Sequence, residues 1–253
     1  PKNAGTYAVV ATINDVNYQG SANGSLVISK ALATVTLSNL SAIYNGSAKA
    51  ATATTDPEGL SVDFTYDSEA TAPKNAGTYA VVATINDVNY NGSANGSLVI
   101  SKALATVTLS NLSATYNGDA KTASASTNPE NLNVSFTYDG EATSPKNART
   151  YAVVATINDA NYYGSKSAMF TIEKQLPNII QWPNPVEVIY GDCVGNTELV
   201  GGTASCEGTF GYMDCDFIPD VYDNVIEIMF IPADTFNYAC NTNNIELKVG
   251  VMT

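Results

Sequence analysis

The sequence predicts an all-β fold of small two-sheet modules repeated in tandem. Three observations predict it. A stretch opening Pro-Lys-Asn-Ala at Pro1 returns at Pro73 and, with some drift, at Pro145, so the period is 72 residues both times. Apolar and polar residues alternate with period two through the apolar stretches, the mark of half-buried strands. No segment longer than about ten residues joins a helical period to capping signals. A fixed period of this length means arrayed modules, each one supersecondary unit that stacks on its neighbours.

The strands follow in order. In Gly5–Ile13 the residues Tyr7, Val9, Ala11 and Ile13 share one face, and Thr6, Ala8, Val10 and Thr12 share the other. Leu26 and Ile28 alternate with Ser25 and Val27, and Val35 and Leu37 with Thr34 and Thr36. Val62, Phe64 and Tyr66 alternate with Ser61, Asp63 and Thr65. β-Branched and aromatic residues at this period fit a pleated surface with one side buried. Asn45-Gly46, Asp56-Pro57-Glu58-Gly59 and Pro1-Lys2-Asn3-Ala4-Gly5 supply turn chemistry between them.

The repeat frame that fits best starts at Ala31-Leu32-Ala33-Thr34 and closes at Ser101-Lys102. Residues 1–30 are then the C-terminal half of a truncated module, 31–102 and 103–174 are repeat modules, and 175–253 form a divergent fourth module. The first two copies are nearly identical, with Gln19 matching Asn91. The third drifts: Arg149 stands where Gly5 and Gly77 stood. The chain begins in mid-module, without a signal-like stretch, and is read as an internal piece of a longer exported protein. The joint Ser29-Lys30-Ala31-Leu32-Ala33-Thr34 has no Gly-, Ser- or Pro-rich linker. Such a short joint restricts the angle between modules and predicts a semi-rigid, monomeric rod, an elongated array.

Composition narrows the function. The 253 residues carry 11 Lys plus Arg, 24 Asp plus Glu and no histidine, for a net charge of −13. That sign argues against nucleic acid or an anionic membrane surface as a partner. Without histidine there is no Ser-His-Asp or Cys-His catalysis and no His-ligated zinc. Scattered Asp and Glu give no sign of the carboxylate pair of a glycosidase, and no enzyme activity is expected. No apolar run approaches the roughly 20 residues that span a bilayer.

Asn3-Ala4-Gly5-Thr6-Tyr7-Ala8-Val9 resembles the start of strand F in immunoglobulin-like domains, where a corner tyrosine bonds back to the preceding turn and a core residue follows two positions later. Tyr7 and Val9, Tyr79 and Val81, and Tyr151 and Val153 would take those roles. Small Ig-like β-sandwiches are the reading that follows; a β-grasp module, which needs a helix, is the alternative. Tyr-Asn-Gly at 44–46 and 116–118, Pro-Lys-Asn-Ala-Gly-Thr-Tyr at 73–79 and the ending Leu-Val-Ile-Ser-Lys, in that order and spacing, resemble the MBG-type repeat domains of large bacterial surface proteins. The likeness covers residues 1–174. The last module is similar to another bacterial Ig-like repeat through Trp182-Pro183, Tyr190-Gly191 and Phe230-Ile231-Pro232-Ala233-Asp234, though it reads Val221-Tyr222-Asp223-Asn224 where Gly-Thr-Tyr is usual. The resemblance implies an extracellular, cell-surface, adhesin-like or stalk protein. It implies no catalysis and transfers no binding residues.

Three constellations remain. Cys193, Cys206, Cys215 and Cys240 all lie in the last module. An even count in an extracellular protein favours two disulfides, in any of three pairings, each stabilising by about 2–4 kcal/mol. Free thiols and a four-Cys metal site are the competing readings. Residues 175–253 hold 11 acidic residues against the single basic Lys248. Asp214, Asp216, Asp220 and Asp223 raise calcium as an alternative to a solvated acidic surface, but without EF-hand spacing; no cofactor is expected. Tyr18, Tyr90, Tyr162 and Tyr163 lie at or beside the Asn-Asp-x-Asn-Tyr loop. They would either stack on a sugar face or fold back to plug the end of the sandwich. Lys74 and Asn75 bring an isopeptide bond to mind, but adjacent residues cannot point the right way, and the Asn-x-Ser sequons read as incidental. Two functions follow. One is a non-catalytic stalk that spaces an adhesive region from the cell. The other is an adhesive module for host glycan or protein.

Overall fold

A computed structural model describes residues 1–184, 187–220, 222 and 224–250. Strands carry the fold, and among the described residues the helical structure is one three-residue 3-10 turn, Val194–Asn196. The helix that a β-grasp module needs is not there, and the repeats are β-sandwiches. By internal contacts, Pro1–Ala105 with Asn158–Tyr163 make one compact unit, and Thr106–Ile157 with Gly164–Thr253 the other.

In the first unit, β1 (Gly5–Thr12) and β2 (Ser21–Ile28) form an antiparallel hairpin with Gly5 opposite Ile28. The repeat that follows holds β3 (Ala31–Leu32), β4 (Thr34–Ser38), β5 (Ser41–Ile43), β6 (Thr52–Asp56), β7 (Val62–Tyr66), β8 (Gly77–Ile85), β9 (Tyr90–Asn91) and β10 (Ser93–Ser101). One sheet has the order β5-β10-β8-β7, and β4 pairs with β6 in the other. Two pairings are parallel, β3 with β9 and β5 with β10. Strand β11 (Ala103–Leu104) pairs in parallel with residues 162–163 of the same unit.

The faces fall as the alternation predicts. Val81, Ala83 and Ile85 of β8 and Leu98 and Ile100 of β10 are buried, in two adjoining clusters with Val35, Leu37, Leu40, Val62 and Phe64. The same residues in the β1–β2 hairpin lie open: Val9 is 45% exposed where Val81 is 1%. The sequences match, so the difference is the facing sheet, which covers β8 and β10 but not β1 and β2. A buried tyrosine ties the two sheets. The Tyr66 hydroxyl accepts the Ala51 N–H at 2.9 Å, and that of Tyr138 accepts the Ala123 N–H at 2.8 Å.

The second unit repeats this plan with β12 (Thr106–Ser110) and β14 (Ser124–Asn128) as one pair. The four-stranded sheet is β13 (Ser113–Thr115), β18 (Ser165–Glu173), β16 (Thr150–Ile157) and β15 (Val134–Tyr138), in that order. Strand β17 (Tyr162–Tyr163) is the partner of β11 in the first unit. Its core gathers Tyr138, Tyr151, Val153, Phe170 and Ile172. The divergent region adds β19 (Ile179–Gln181), β20 (Glu187–Ile189), β21 (Thr203–Ala204), β22 (Gly208–Tyr212), β23 (Val225–Pro232), β24 (Asn241–Glu246) and β25 (Lys248–Gly250). Strands β22-β23-β24 form an antiparallel sheet, and β20 pairs with β25 in parallel. Val188, Val194, Ile226, Ile228, Ile245 and Leu247 are its core, with Trp182 and Tyr212 packed against them.

Tyr66→Phe keeps the ring and removes the acceptor of a buried N–H, which costs about 1–3 kcal/mol. The expected result is faster exchange of the Ala51 amide and a lower urea midpoint for that repeat; unchanged exchange at Ala51 would contradict the role given to the hydroxyl.

Candidate functional site

The side chains that recur in the same geometry from repeat to repeat lie where the last strand of one repeat passes into the next. The corner comes first. The Tyr7 hydroxyl donates to the Asn3 carbonyl at 2.8 Å, Tyr79 to Asn75 at 2.9 Å and Tyr151 to Asn147 at 2.8 Å. This is the corner bond expected from sequence, and it fixes the backbone of Asn-Ala in each copy. The alanine N–H that follows finds its acceptor far along the chain.

That acceptor is the asparagine of the Asp-x-Asn-Tyr loop, one repeat later. Asp87 Oδ1 accepts the N–H groups of Asn89 and Tyr90 at 2.7 and 3.0 Å, folding residues 87–90 into a tight Asx turn. The turn projects the Asn89 side chain, whose Oδ1 accepts the Ala4 N–H at 2.8 Å. Asn89 Nδ2 approaches Asn3 Oδ1 at 3.4 Å. From the connecting chain, Lys30 Nζ donates to the Asp87 carbonyl at 2.6 Å, and the Ala31 and Ala33 N–H groups donate to the Asn89 and Asn91 carbonyls. Gly92 follows because a Cβ there would run into the Ala33 carbonyl oxygen.

The arrangement recurs 72 residues on, still within the first unit. Asn161 Oδ1 accepts the Ala76 N–H at 2.8 Å, Asn161 Nδ2 donates to Asn75 Oδ1 at 3.2 Å, and Lys102 Nζ donates to the Asp159 carbonyl at 2.6 Å. It recurs again in the second unit, where the loop Asp234-Thr235-Phe236-Asn237-Tyr238 is one residue longer. Asn237 Oδ1 accepts the Ala148 N–H at 2.8 Å, and Lys174 Nζ donates to the Thr235 carbonyl at 2.7 Å. Here Asn237 and Ala148 are both buried. Asn237 is held by Asp234 twice, through its own N–H at 3.1 Å and its Nδ2 at 2.8 Å. An aromatic pair flanks two of the joints edge to face: Tyr44 with Tyr162 at 5.3 Å and Tyr116 with Tyr238 at 5.4 Å. Such pairs contribute about 0.5–1.5 kcal/mol beyond their buried area.

Electrostatics follow the geometry. The Asn237 side-chain amide holds the Asp234 carboxyl below its usual range, helped by the backbone N–H groups of Asn237 and Phe236 and the charge of Lys174, against desolvation. Burial pushes the Tyr238 phenol up, with Cys206, Tyr116 and Asp234 adding to it. Burial, then the charge of Asp234, raises the Cys206 thiol, which leaves it protonated and a poor nucleophile at neutral pH. In the third copy Arg149 takes up the space of the earlier glycines by pairing with Asp139 at 2.8 Å and lying 3.9 Å over the Tyr151 ring.

The structure sorts the residues singled out from sequence. Tyr90 and Tyr162 are half-buried, and Tyr162 packs on Tyr44, so these two serve the joint; Tyr18 and Tyr163 are 70% and 53% exposed. Cys193, Cys206, Cys215 and Cys240 are free cysteines rather than the two disulfides that an even count suggests, with Cys215 and Cys240 exposed. Asp214 and Asp220 each accept a nearby backbone N–H, from Asp216 and Tyr222. Asp223 and Val221 lie outside the described residues, and among the described residues no three Cys, Asp or Glu are grouped as metal ligands. The Asn75 carboxamide is engaged by Asn161 rather than by a lysine. Two sizeable depressions, about 490 Å³ at Ala53–Leu60 and about 440 Å³ at Ala125–Leu132, are the same place in two repeats, and neither has an aromatic residue in its lining. Sequence reasoning missed the asparagine acceptor and the Tyr44 and Tyr116 partners. The signal for the first was present: Asp-x-Asn-Tyr survives as Asp-Thr-Phe-Asn-Tyr in a module that has otherwise diverged.

The sequence profile of the MBG domain family matches residues 1–32, 33–104 and 105–176, two residues later than the frame drawn from the repeats. No curated protein matches the chain significantly. Among solved structures the chain is similar to Sidekick-1 immunoglobulin domains 1-5, at 12% identity over 98% of this chain and 67% of that one, with a TM-score of 0.32. It is also similar to Down Syndrome Cell Adhesion Molecule (DSCAM) isoform 1.30.30, N-terminal eight Ig domains, at 12% identity over 98% of this chain and 44% of that one, with a TM-score of 0.25.

Two results are expected from the joint. Asn161→Ala removes the acceptor of the Ala76 N–H together with the Nδ2 bond to Asn75; loss of the first, at about 0.5–1.5 kcal/mol, speeds Ala76 amide exchange up to about tenfold while β8 and β10 stay protected, and Asn237→Ala, at a buried joint, does more to Ala148. Because the Asp234 carboxyl is lowered by folding, its stabilisation is present above the unfolded value near 3.9 and is lost as pH falls through the lower folded value. The gap in melting temperature between wild type and Asp234→Ala therefore closes below about pH 3.9; a gap that widened in acid would contradict the assignment.

Proposed function

From the premise that the chain belongs to the MBG domain family, we propose that it is a non-catalytic spacer of a large bacterial surface protein. In this reading it stands outside the cell and holds an adhesive or effector region away from it. The observation that carries the reading is the joint. Successive repeats are connected without a linker, and the same carboxamide acceptor and lysine donor recur at each of three joints. A spacer needs repetition and a set angle between its modules, and these bonds restrict that angle. Among the described residues no helix is long and apolar enough to cross a membrane. With no histidine in the sequence, the common general base of neutral-pH catalysis is missing too.

The adhesive alternative keeps one observation in its favour. The last module differs from the repeats, carries most of the negative charge, and exposes Met213, Ile218 and Tyr222 among Asp214, Asp216 and Asp220. An exposed apolar and acidic patch particular to one module suits a protein partner with a basic surface.

Small-angle scattering of the full chain tests the spacer. A compact globule of this length has a radius of gyration of roughly 18 Å. The spacer requires a value well above that at physiological salt, and a value near it would remove the reading. Saturable binding of the full chain to a panel of basic proteins at physiological salt, lost in Tyr222→Ala with Ile218→Ser, would favour the adhesive alternative.

A further inference from the structure

The geometry points to a second role that rests on the spacer reading: each repeat is wired to resist tension applied along the chain. The feature is the direction of its first and last strands. In the repeat 31–102 the chain comes in through β3 and β5 and leaves through β9 and β10, and both pairings are parallel. Ser41, Ala42 and Ile43 lie opposite Val99, Ile100 and Ser101. The patch is bracketed by the Val99 N–H donating to the Leu40 carbonyl and the Tyr44 N–H donating to the Ser101 carbonyl, each at 2.9 Å.

A pull on the ends of the repeat draws β5 back toward its start and β10 forward toward its end. Two parallel strands pulled this way slide along their length, and the cross-strand bonds share the load and must fail together. Strands pulled apart from one end lose their bonds one at a time. The same wiring recurs twice in the second unit. Strand β13 runs parallel to β18, bracketed by Thr171 N–H to the Leu112 carbonyl and Tyr116 N–H to the Glu173 carbonyl. Strand β20 runs parallel to β25, closed by Tyr190 N–H to the Gly250 carbonyl. The divergent module keeps this pairing although its core residues differ. Forced unfolding reads the unfolding barrier rather than the equilibrium stability, so the clamp shows in a pulling experiment and not in a melting curve.

The test is single-molecule pulling of the full chain, with handles placed through non-natural residues so that the native cysteines are untouched. Handles at Pro1 and Thr253 load the repeats through their ends; handles at Asn45 and Lys102, which sit at the same end of the β5–β10 patch, open it bond by bond. Each repeat unfolded through its ends releases about 240–260 Å of extended chain, less its folded length. The expected result is a markedly higher force for end loading than for the Asn45 and Lys102 geometry. Ala42→Pro on the edge strand β5 removes a donor to β10 at the residue opposite Ile100, and should lower one repeat's peak while leaving the other repeat's unchanged. Equal forces in the two geometries overturn the proposal, and this comparison needs no substitution within the ladder. Failure of the two readings is separable: an extended chain with equal forces removes the clamp and keeps the spacer, whereas a compact chain with direction-dependent forces does the reverse.

Discussion

One carboxamide oxygen per joint, from Asn89, Asn161 or Asn237, accepts a backbone N–H from the repeat before it. The rest of the joint depends on that bond. The corner tyrosine fixes where the N–H points, and the Asx turn at the aspartate fixes where the carboxamide points. The lysine of the connecting chain ties the turn to the strand that leads into the next repeat. Donor and acceptor are each set by bonds to backbone, so neighbouring side chains are free to drift. Val88 becomes Ala160, and Gly77 becomes Arg149 with its own partners, while the bond keeps its length.

What was legible in the sequence was local. Period two gave the buried faces of β8, β10 and β7, because a strand with one side covered has no other way to arrange Val81, Ala83 and Ile85. The corner bond was legible because donor and acceptor sit four residues apart. The joint was less so: Ala4 and Asn89 are 85 residues apart, and nothing in either local pattern names the other. The loop tyrosines illustrate the ambiguity. An exposed-looking Tyr beside a turn reads as a sugar platform or as a plug, and only the position of Tyr44 shows that Tyr162 packs on a neighbour. The parallel pairing of β5 with β10 was hidden for the same reason, since strand direction depends on topology rather than on composition. The cysteines fail differently. An even count reports a capacity for pairing, whereas pairing itself requires two Cβ atoms about 3.5–4.5 Å apart, a distance no spacing reveals.

The divergent module separates what the fold needs from what the joint needs. Its core is built from other residues, with Trp182, Phe210 and Phe230 in successive aromatic contact. Its joint keeps the aspartate, the asparagine and the tyrosine, with one residue added to the loop. The extra residue alters how the asparagine is held: Asp234 now grips both the backbone and the side chain of Asn237, and the acceptor becomes buried. A buried acceptor excludes water as a competing partner, while the crossing bond keeps the same 2.8 Å length as at the other two joints.

The chemistry of the joint also limits what the surroundings can do to it. The lysines at all three joints donate to backbone carbonyls rather than to carboxylates, and the aspartates spend their charge on nearby N–H groups. The bond that crosses between repeats joins two neutral dipoles. Salt screens charges separated by more than about 8 Å at physiological ionic strength and leaves hydrogen bonds at contact distance largely alone. The ion pair Arg149–Asp139 is solvent-exposed, lies within one repeat, and contributes at most about 1 kcal/mol. With 11 acidic residues against one basic in 175–253, most of the net charge of −13 sits in the last module, and the carboxamide bonds between repeats do not depend on it. Changing salt therefore acts on that charge and leaves the carboxamide bonds of the joint in place.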